Sequence, residues 1–400
     1  GLPIMMSETM LGRRGRRNPV ASMTLLGEEE GNSAKWGFIG LSGVLAGFII
    51  LSFYSVIAGW VLAYIFKSGS GAFAGADAEL VKNLFGGLAG DWQATAFWHT
   101  LFMALTVIVV AQGVERGLEK AVTAMVPALV GLLLVLLGYS AATGEFEMGV
   151  RFMFEPDWSK VDGGTVLAAM GQAFFTLSIG MGCVMAYGAY LPQETSIPIT
   201  SLAVVTADTS IAILSGLVIF PIVFANGLDP TEGPGLIFQV LPLSFGNMPG
   251  GVFFGTLFFL LVGFAALTSA ISLMEPAVAW LVESRGLTRV NASVIIGVII
   301  WALGFLSVFS FSLLADVTFL RGTFLDNFDY LTSNIMLPLG GLAITVFCGW
   351  VMCQNASADE LSVGTGRLYR LWYFSSRFIA PVAVVLVFLN AIGVLTLLGL

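Results

Sequence analysis

The sequence predicts an all-α polytopic membrane protein, and three observations carry that expectation. Of 400 residues, 57% are hydrophobic and only 10% are charged, with a mean hydropathy of +0.92. That balance excludes an ordinary soluble domain. Apolar stretches of spanning length, roughly 20 residues each, recur along the whole chain. No linker between them is long enough for a separate soluble domain, so residues 1–400 read as a single transmembrane domain.

Spans are expected near 1–24, 36–66, 95–114, 120–143, 164–190, 198–226, 249–281, 291–315, 323–353 and 373–398. The first starts at Gly1-Leu2-Pro3-Ile4, already inside an apolar segment, with no charged leader before it. The second carries Tyr54 at mid-depth, in ILSFYSVIAGW. The third opens on His99, the only histidine, expected as an interfacial residue. The sixth contains Asp208, and the seventh contains Thr268, Ser269 and, before Pro276, Glu275. The ninth contains Asp329, at the outer end of LDNFDYLTSNIMLPLGG.

The cations orient the chain. If the spans alternate, Arg13, Arg14, Arg16, Arg17, Lys35, Arg116, Lys120, Arg285, Arg289, Arg367, Arg370 and Arg377 share one side. Lys67, Lys82, Arg151, Lys160 and Arg321 take the other. Twelve against five places the first loop in the cytoplasm, as for a multi-pass protein of the inner (plasma) membrane entered from outside. Cys183, Cys348 and Cys353 lie in or at the ends of apolar spans. They offer neither a disulfide framework nor metal-ligand spacing, and read as packing residues.

The fifth span is the most informative. Residues 171–193, GQAFFTLSIGMGCVMAYGAYLPQ, hold no charge, yet Thr176, Ser178, Gly180 and Gly182 crowd its centre. In hydrocarbon an unpartnered backbone group costs several kcal/mol, so a helix that unwinds at mid-depth must line a cavity. Interrupted helices form ion and substrate sites in many secondary transporters. A packing helix rich in small residues is the competing reading.

Few acids fall within spans, and each is a functional candidate. Asp208 has no cation near it in sequence, so it needs a partner, a proton or a bound ion. A hydrogen-bonded structural carboxyl is the alternative. Thr268 and Ser269 are adjacent hydroxyls in an apolar helix, where such groups often bond the preceding turn. A buried Tyr54 hydroxyl needs a partner, and interhelical bonding is its simplest role.

The string FFTLSxGxG, followed by Tyr187 and Tyr190, resembles the sixth helix of the neurotransmitter:sodium symporter family, bacterial leucine-transporter (LeuT) type. GLPIMMSETMLGRR is similar to that family's second helix. The resemblance covers essentially the whole chain, including GPGLIFQVLP (233–242) and a single final helix. It implies a LeuT-type inverted-repeat helix bundle with a discontinuous helix around 176–182. The bundle would be incomplete at the N-terminus, lacking the first transmembrane helix. Residues 1–143 would then form an incomplete first repeat, 164–353 the second, and 365–400 a final extra helix. No sequence self-similarity between the repeats is evident; such symmetry is usually weak.

The same resemblance implies site residues. Thr176 and Asp208 would serve a first sodium site. The Ala265 carbonyl with the Thr268 and Ser269 hydroxyls would serve a second, and all-oxygen ligation suits a hard cation. Substrate would meet Ile50, Tyr54, Phe175, Thr176, Ser178, Gly180, Met181, Ser269 and Leu273. Tyr54 would bond the substrate carboxylate and, with Phe175, close the outer gate. Asp329 matches an outer-gate acid, and Tyr190 and Glu283 match inner-gate positions. Both partner arginines would belong to the absent segment. Glu8 matches a buried acid near the broken helices, while Glu275 has no assigned role. Where chloride-dependent relatives carry a neutral residue, Asp208 would supply the fixed negative charge, so chloride is not expected to be required. Ala212 stands one turn later, where the leucine transporter has an acid.

The expectation is a sodium-coupled symporter, using Na+ at two sites and no organic cofactor, that imports a neutral, hydrophobic or aromatic amino acid. Its partners would be that small-molecule amino acid, the lipid bilayer and, as a candidate, a second copy in a homodimer; no nucleic acid is expected. A sodium-leak channel, a non-transporting binding subunit or an inactive fragment on the same scaffold are the alternatives. An enzyme is not expected, because neither a Walker loop nor a nucleophile–base pattern is present. The sequence identifies neither the amino acid nor the ion stoichiometry.

Overall fold

A left-handed Arg16 (φ 54°) ends α1 (Leu2–Gly15) in the computed structural model, which describes residues 1–228, 230, 235–362, 364 and 366–394. Asn18 then opens α2 (Pro19–Gly31), its side-chain oxygen accepting the Val20 and Ala21 amides at 3.1 Å each. Proline at the first helical position gives up an N–H that would have no partner there, and it keeps the preceding residue out of the helical region. The expected span over 1–24 is therefore two helices. Met23 and Leu26, both fully buried, prolong the apolar run of α1 across the junction, which hides the break in a hydropathy reading.

Next come α3 (Gly37–Gly69), α4 (Ala78–Gly90), α5 (Trp92–Ala111), α6 (Lys120–Thr143) and α7 (Phe146–Phe154). The interrupted span is α8 (Gly163–Thr176) and α9 (Cys183–Tyr190), followed by α10 (Ile197–Ala225). After α11 (Leu241–Asn247), the 35-residue α12 (Gly251–Arg285) and α13 (Arg289–Phe309) run through the bundle. α14 (Phe324–Asp329) and α15 (Leu337–Val346) join through a π-helical stretch into one rod over Phe324–Val351. A short α16 (Gln354–Leu361) precedes α17 (Arg367–Phe374) and α18 (Ala380–Ala391), which are also continuous. Among the described residues, eight helices are long and apolar enough to cross a membrane. With α1 and the α8–α9 pair they account for every expected span. The described residues contain no strand beyond an isolated bridge, Phe319–Gly322. The expected external stretch 233–242 is described only from residue 235 onward.

Polar bonds divide the bundle into two ends. At one end Tyr139 donates to the Pro249 carbonyl at 3.0 Å, and Asn247 reaches the Ala76 carbonyl at 3.1 Å. At the other, Asn18 bonds Glu283, Arg14 pairs with Glu30 at 2.9 Å, and fully buried Arg13 reaches Thr195 and Glu360. The second end is the one to which the cation bias assigns the cytoplasm.

Small residues set the closest helix approaches, as expected where lipid replaces water outside the bundle. A β-carbon on Gly12 would run into the Met185 backbone, and one on Gly188 into that of Thr9, so α1 and α9 pack with backbones nearly touching. α3 and α12 pack along most of their length. His99 departs from the interfacial expectation. It is fully buried, its Nε2 3.1 Å from the Trp301 carbonyl, because α13 covers the ring at Gly304. The ring also meets Phe305 edge-on, and its Nδ1 has no hydrogen-bond partner among the described residues.

Candidate functional site

The helix break is built by left-handed backbone at three alternate residues. Ser178 has φ 54°, Gly180 φ 82° and Gly182 φ 75°. For an L-residue this conformation is costly, which is why two of the three are glycine. Space imposes the same choice at Gly180, where a β-carbon would stand 2.6 Å from the Leu337 carbonyl. The unwound residues 177–182 pass between Gly43 of α3 and the Gly340–Gly341 pair of α15. The Gly180 amide donates to Glu8 at 3.2 Å. Glu8 is fully buried and its other oxygen has no partner among the described residues.

Thr176, the last residue of α8, donates its hydroxyl to Asp208 of α10 at 2.8 Å. The two lie on the wall of a cavity of about 300 Å³ that follows the break toward the cytoplasmic end. Ser178, Cys183, Tyr187 and Ser272 line it too. Tyr187 donates to Ser272 at 2.8 Å, and the Cys183 thiol to the Ser272 carbonyl at 3.2 Å, so α9 and α12 are tied across the cavity. Tyr187 belongs to the string that carries the resemblance, but Ser272 has no sequence signal of its own; only the bond between them marks it. Cys348 is buried and Cys353 exposed.

On α12, the Thr268 hydroxyl donates to the Ala265 carbonyl at 2.9 Å. The Tyr54 hydroxyl is directed at Ser269. The other expected substrate residues separate into two places. Ile50, Met181 and Leu273 are buried in one apolar cluster, with Tyr54 packed against it. Phe175 is 37% exposed and lines a different cavity, about 360 Å³, together with Asp329, Gln172 and Ser333. Asp329 accepts the Ser333 hydroxyl at 2.8 Å.

At the cytoplasmic end Glu283 accepts the Asn18 amide at 2.9 Å and its side-chain N–H at 2.7 Å. Tyr190 instead donates to Glu275, at 3.0 Å. Glu275 is fully buried and is bridged by both terminal nitrogens of Arg289, the Nη1 bond measuring 3.0 Å. Arg289 also reaches the Val110 carbonyl at 2.9 Å. A buried carboxylate persists when paired and fully hydrogen-bonded, which explains an acid that the sequence left without a role. Its signal was a lone intramembrane Glu, with the cation fourteen residues away past a helix end.

In the outer loop, Asp162 caps α8, accepting the Thr165 amide at 2.7 Å and the Thr165 hydroxyl at 2.8 Å. Those bonds hold its carboxyl below the usual range. Among the described residues, no cluster of three His, Cys, Asp or Glu side chains is placed to hold a metal ion.

The family model described as the sodium:neurotransmitter symporter family matches residues 87–399. The uncharacterized sodium-dependent transporter YhdH of Bacillus subtilis is 36% identical over 99% of this chain and 88% of its own length. An uncharacterized sodium-dependent transporter of Haemophilus influenzae is 30% identical over 98% of this chain and 87% of its own. Among solved structures, MhsT in complex with L-phenylalanine superposes with a TM-score of 0.89 at 42% identity, covering 98% of this chain and 88% of MhsT.

Proposed function

The chain belongs to the sodium:neurotransmitter symporter family, and from that premise we propose a sodium-coupled symporter that imports a neutral, hydrophobic or aromatic amino acid by alternating access. Members of this family are transporters, not enzymes. The chain is a multi-pass membrane protein sharing the leucine-transporter-type fold of MhsT; its place in the plasma membrane is part of the proposal.

The Thr176–Asp208 bond carries the reading. It sets a carboxylate and a helix C-terminus, both favourable to a cation, against one cavity at the break. Sodium is a cargo ion here, held by oxygen donors of the kind this corner supplies. The Ala265 carbonyl and the Thr268 and Ser269 hydroxyls form the second proposed site. Its cation would take over the acceptor that Thr268 uses at 2.9 Å. Asp208 provides fixed negative charge at the first site, so chloride is not needed.

The substrate proposal rests on side-chain chemistry. Ile50, Met181 and Leu273 are apolar and share one cluster with Tyr54. The bound L-phenylalanine of MhsT supports an aromatic or bulky aliphatic ligand for this chain too. Tyr54 would orient the carboxylate end, with Ser178, Gly180 and Ser269 beside it. Opening toward the cytoplasm would separate Tyr190 from Glu275, while Phe175 and Asp329 would serve the outer side. In this scheme 1–143 belongs to the first repeat, 164–353 is the second and 365–400 the added helix.

The test is uptake of labelled phenylalanine or leucine into proteoliposomes under an inward sodium gradient. Saturable uptake that collapses when potassium replaces sodium is expected. Sodium flux that is insensitive to any amino acid overturns the symport reading.

A further inference from the structure

Arg377 carries a charge on the cytoplasmic side that the transport site does not use. It lies in a π-helical turn, Ser375–Ile379, between α17 and α18. Its guanidinium stacks over Trp350, 4.5 Å from the ring centre, and lies 5.6 Å from the centres of both Tyr373 and Phe378. Nη1 donates to the Tyr373 hydroxyl at 2.5 Å, and Tyr373 donates on to the Gly349 carbonyl at 3.3 Å. Trp350 donates its indole N–H to the Arg377 carbonyl at 3.2 Å. The arginine is thus held in one orientation by the ends of the last two spans.

Among the described residues no anion meets that cation: Arg377 forms no salt bridge there, nor do Arg370 and Arg367. Its Nε is enclosed without an acceptor, so the outward donors are those of the terminal nitrogens. Arg370 precedes it by seven residues, about two turns or ~10 Å along the axis. The surroundings are lipid-facing: Trp350 is 56% exposed, Phe374 54% and Phe378 46%. A tryptophan and tyrosine at this level mark the membrane interface. An arginine fork prefers a planar arrangement of phosphate or carboxylate oxygens, and basic pockets between spans on the cytoplasmic side suit anionic head groups.

We propose that Arg377, braced by Trp350 and Tyr373 and supported by Arg370, is a binding site for the phosphate of an anionic phospholipid in the cytoplasmic leaflet. The aromatic side chains beside it receive the start of the acyl chains. Simple snorkelling of the arginine to water would not need the Trp350 stack or the Tyr373 bond.

The test is native mass spectrometry and thermal stability of the full-length chain in detergent, with added phosphatidylglycerol, phosphatidylcholine or inorganic phosphate. Wild type should retain phosphatidylglycerol at least fivefold over phosphatidylcholine and be stabilised by it, with no effect of millimolar phosphate. Arg377→Gln should abolish that preference, and Arg377→Lys should keep only part of it. Equal retention of the two lipids by wild type overturns the proposal, even if the variants fail to fold. So does unchanged phosphatidylglycerol preference in Arg377→Gln. Stabilisation by inorganic phosphate equal to that by the lipid assigns the site to a free anion and overturns the lipid identity.

Discussion

The Thr176 hydroxyl donates to Asp208 across 2.8 Å, linking the end of α8 to the middle of α10 at the helix break. Each residue is ordinary by itself. Together they put an ionisable group where backbone has left its helical bonds.

Asp208→Asn keeps the shape and the Thr176 bond but removes the charge. Sodium affinity for uptake is expected to fall, with partial recovery on adding chloride. Wild-type uptake should be the same in chloride and in gluconate. Wild-type transport that stops in gluconate would show that Asp208 is not the fixed negative charge.

Thr268→Ala with Ser269→Ala removes two proposed oxygens of the second site. Each lost bond to a charged group is worth about 1.5–3 kcal/mol, so apparent sodium affinity should drop by well over tenfold. If sodium dependence of uptake is unaltered, the Thr268 bond to Ala265 is merely local helix chemistry.

Charged side chains should not compete for the site. Ile50, Met181 and Leu273 offer no partner, and burying an uncompensated charge costs several kcal/mol. Competition assays should find that Leu, Met, Phe, Tyr and Trp block uptake while Asp, Glu, Lys and Arg do not. Met181→Phe fills space and should shift preference toward smaller aliphatic substrates. Equal competition by glutamate or lysine would remove these residues from the pocket.

Arg289→Ala strands the fully buried Glu275 without its counterion. Breaking such a pair costs about 3–5 kcal/mol, and Arg289, 21% exposed, belongs at the lower end. Tyr190→Phe removes one hydrogen bond to a carboxylate, and with the ring half-exposed it belongs at the low end of the range, about 1.5 kcal/mol. Thermal inactivation should therefore shift further for the first variant than for the second. Tyr190→Phe should still change transport, by loosening the inner closure. A small thermal shift for Arg289→Ala would mean that the Glu275–Arg289 pair does not hold α12 and α13 together.

Composition and spacing sufficed for the all-α membrane class and the number of spans; the break in the fifth needed the particular string FFTLSxGxG as well. Long apolar runs have few alternatives in a bilayer, whereas a Thr-Ser-Gly-Gly centre suits either a closely packed helix or a broken one. Asp208 was legible too, as a lone acid in hydrocarbon. The break at Arg16–Asn18 was less so, because the apolar side chains of α2 continue the hydrophobic run across a proline that also suits a helix start.

Three-dimensional packing alone decided the partners. Glu275 and Arg289 lie on different helices, and nothing local pairs them. His99 begins a span, which suggests an interfacial place, but α13 closes over it. The resemblance sets Tyr190 and Glu283 at the same inner gate, yet the Tyr190 hydroxyl goes to Glu275. Ser272, Cys183 and Tyr187 meet only because α9 crosses α12. Hydropathy fixes depth in the membrane, a quantity written along one helix. Which face meets which neighbour depends on packing between helices, and a single sequence does not contain it.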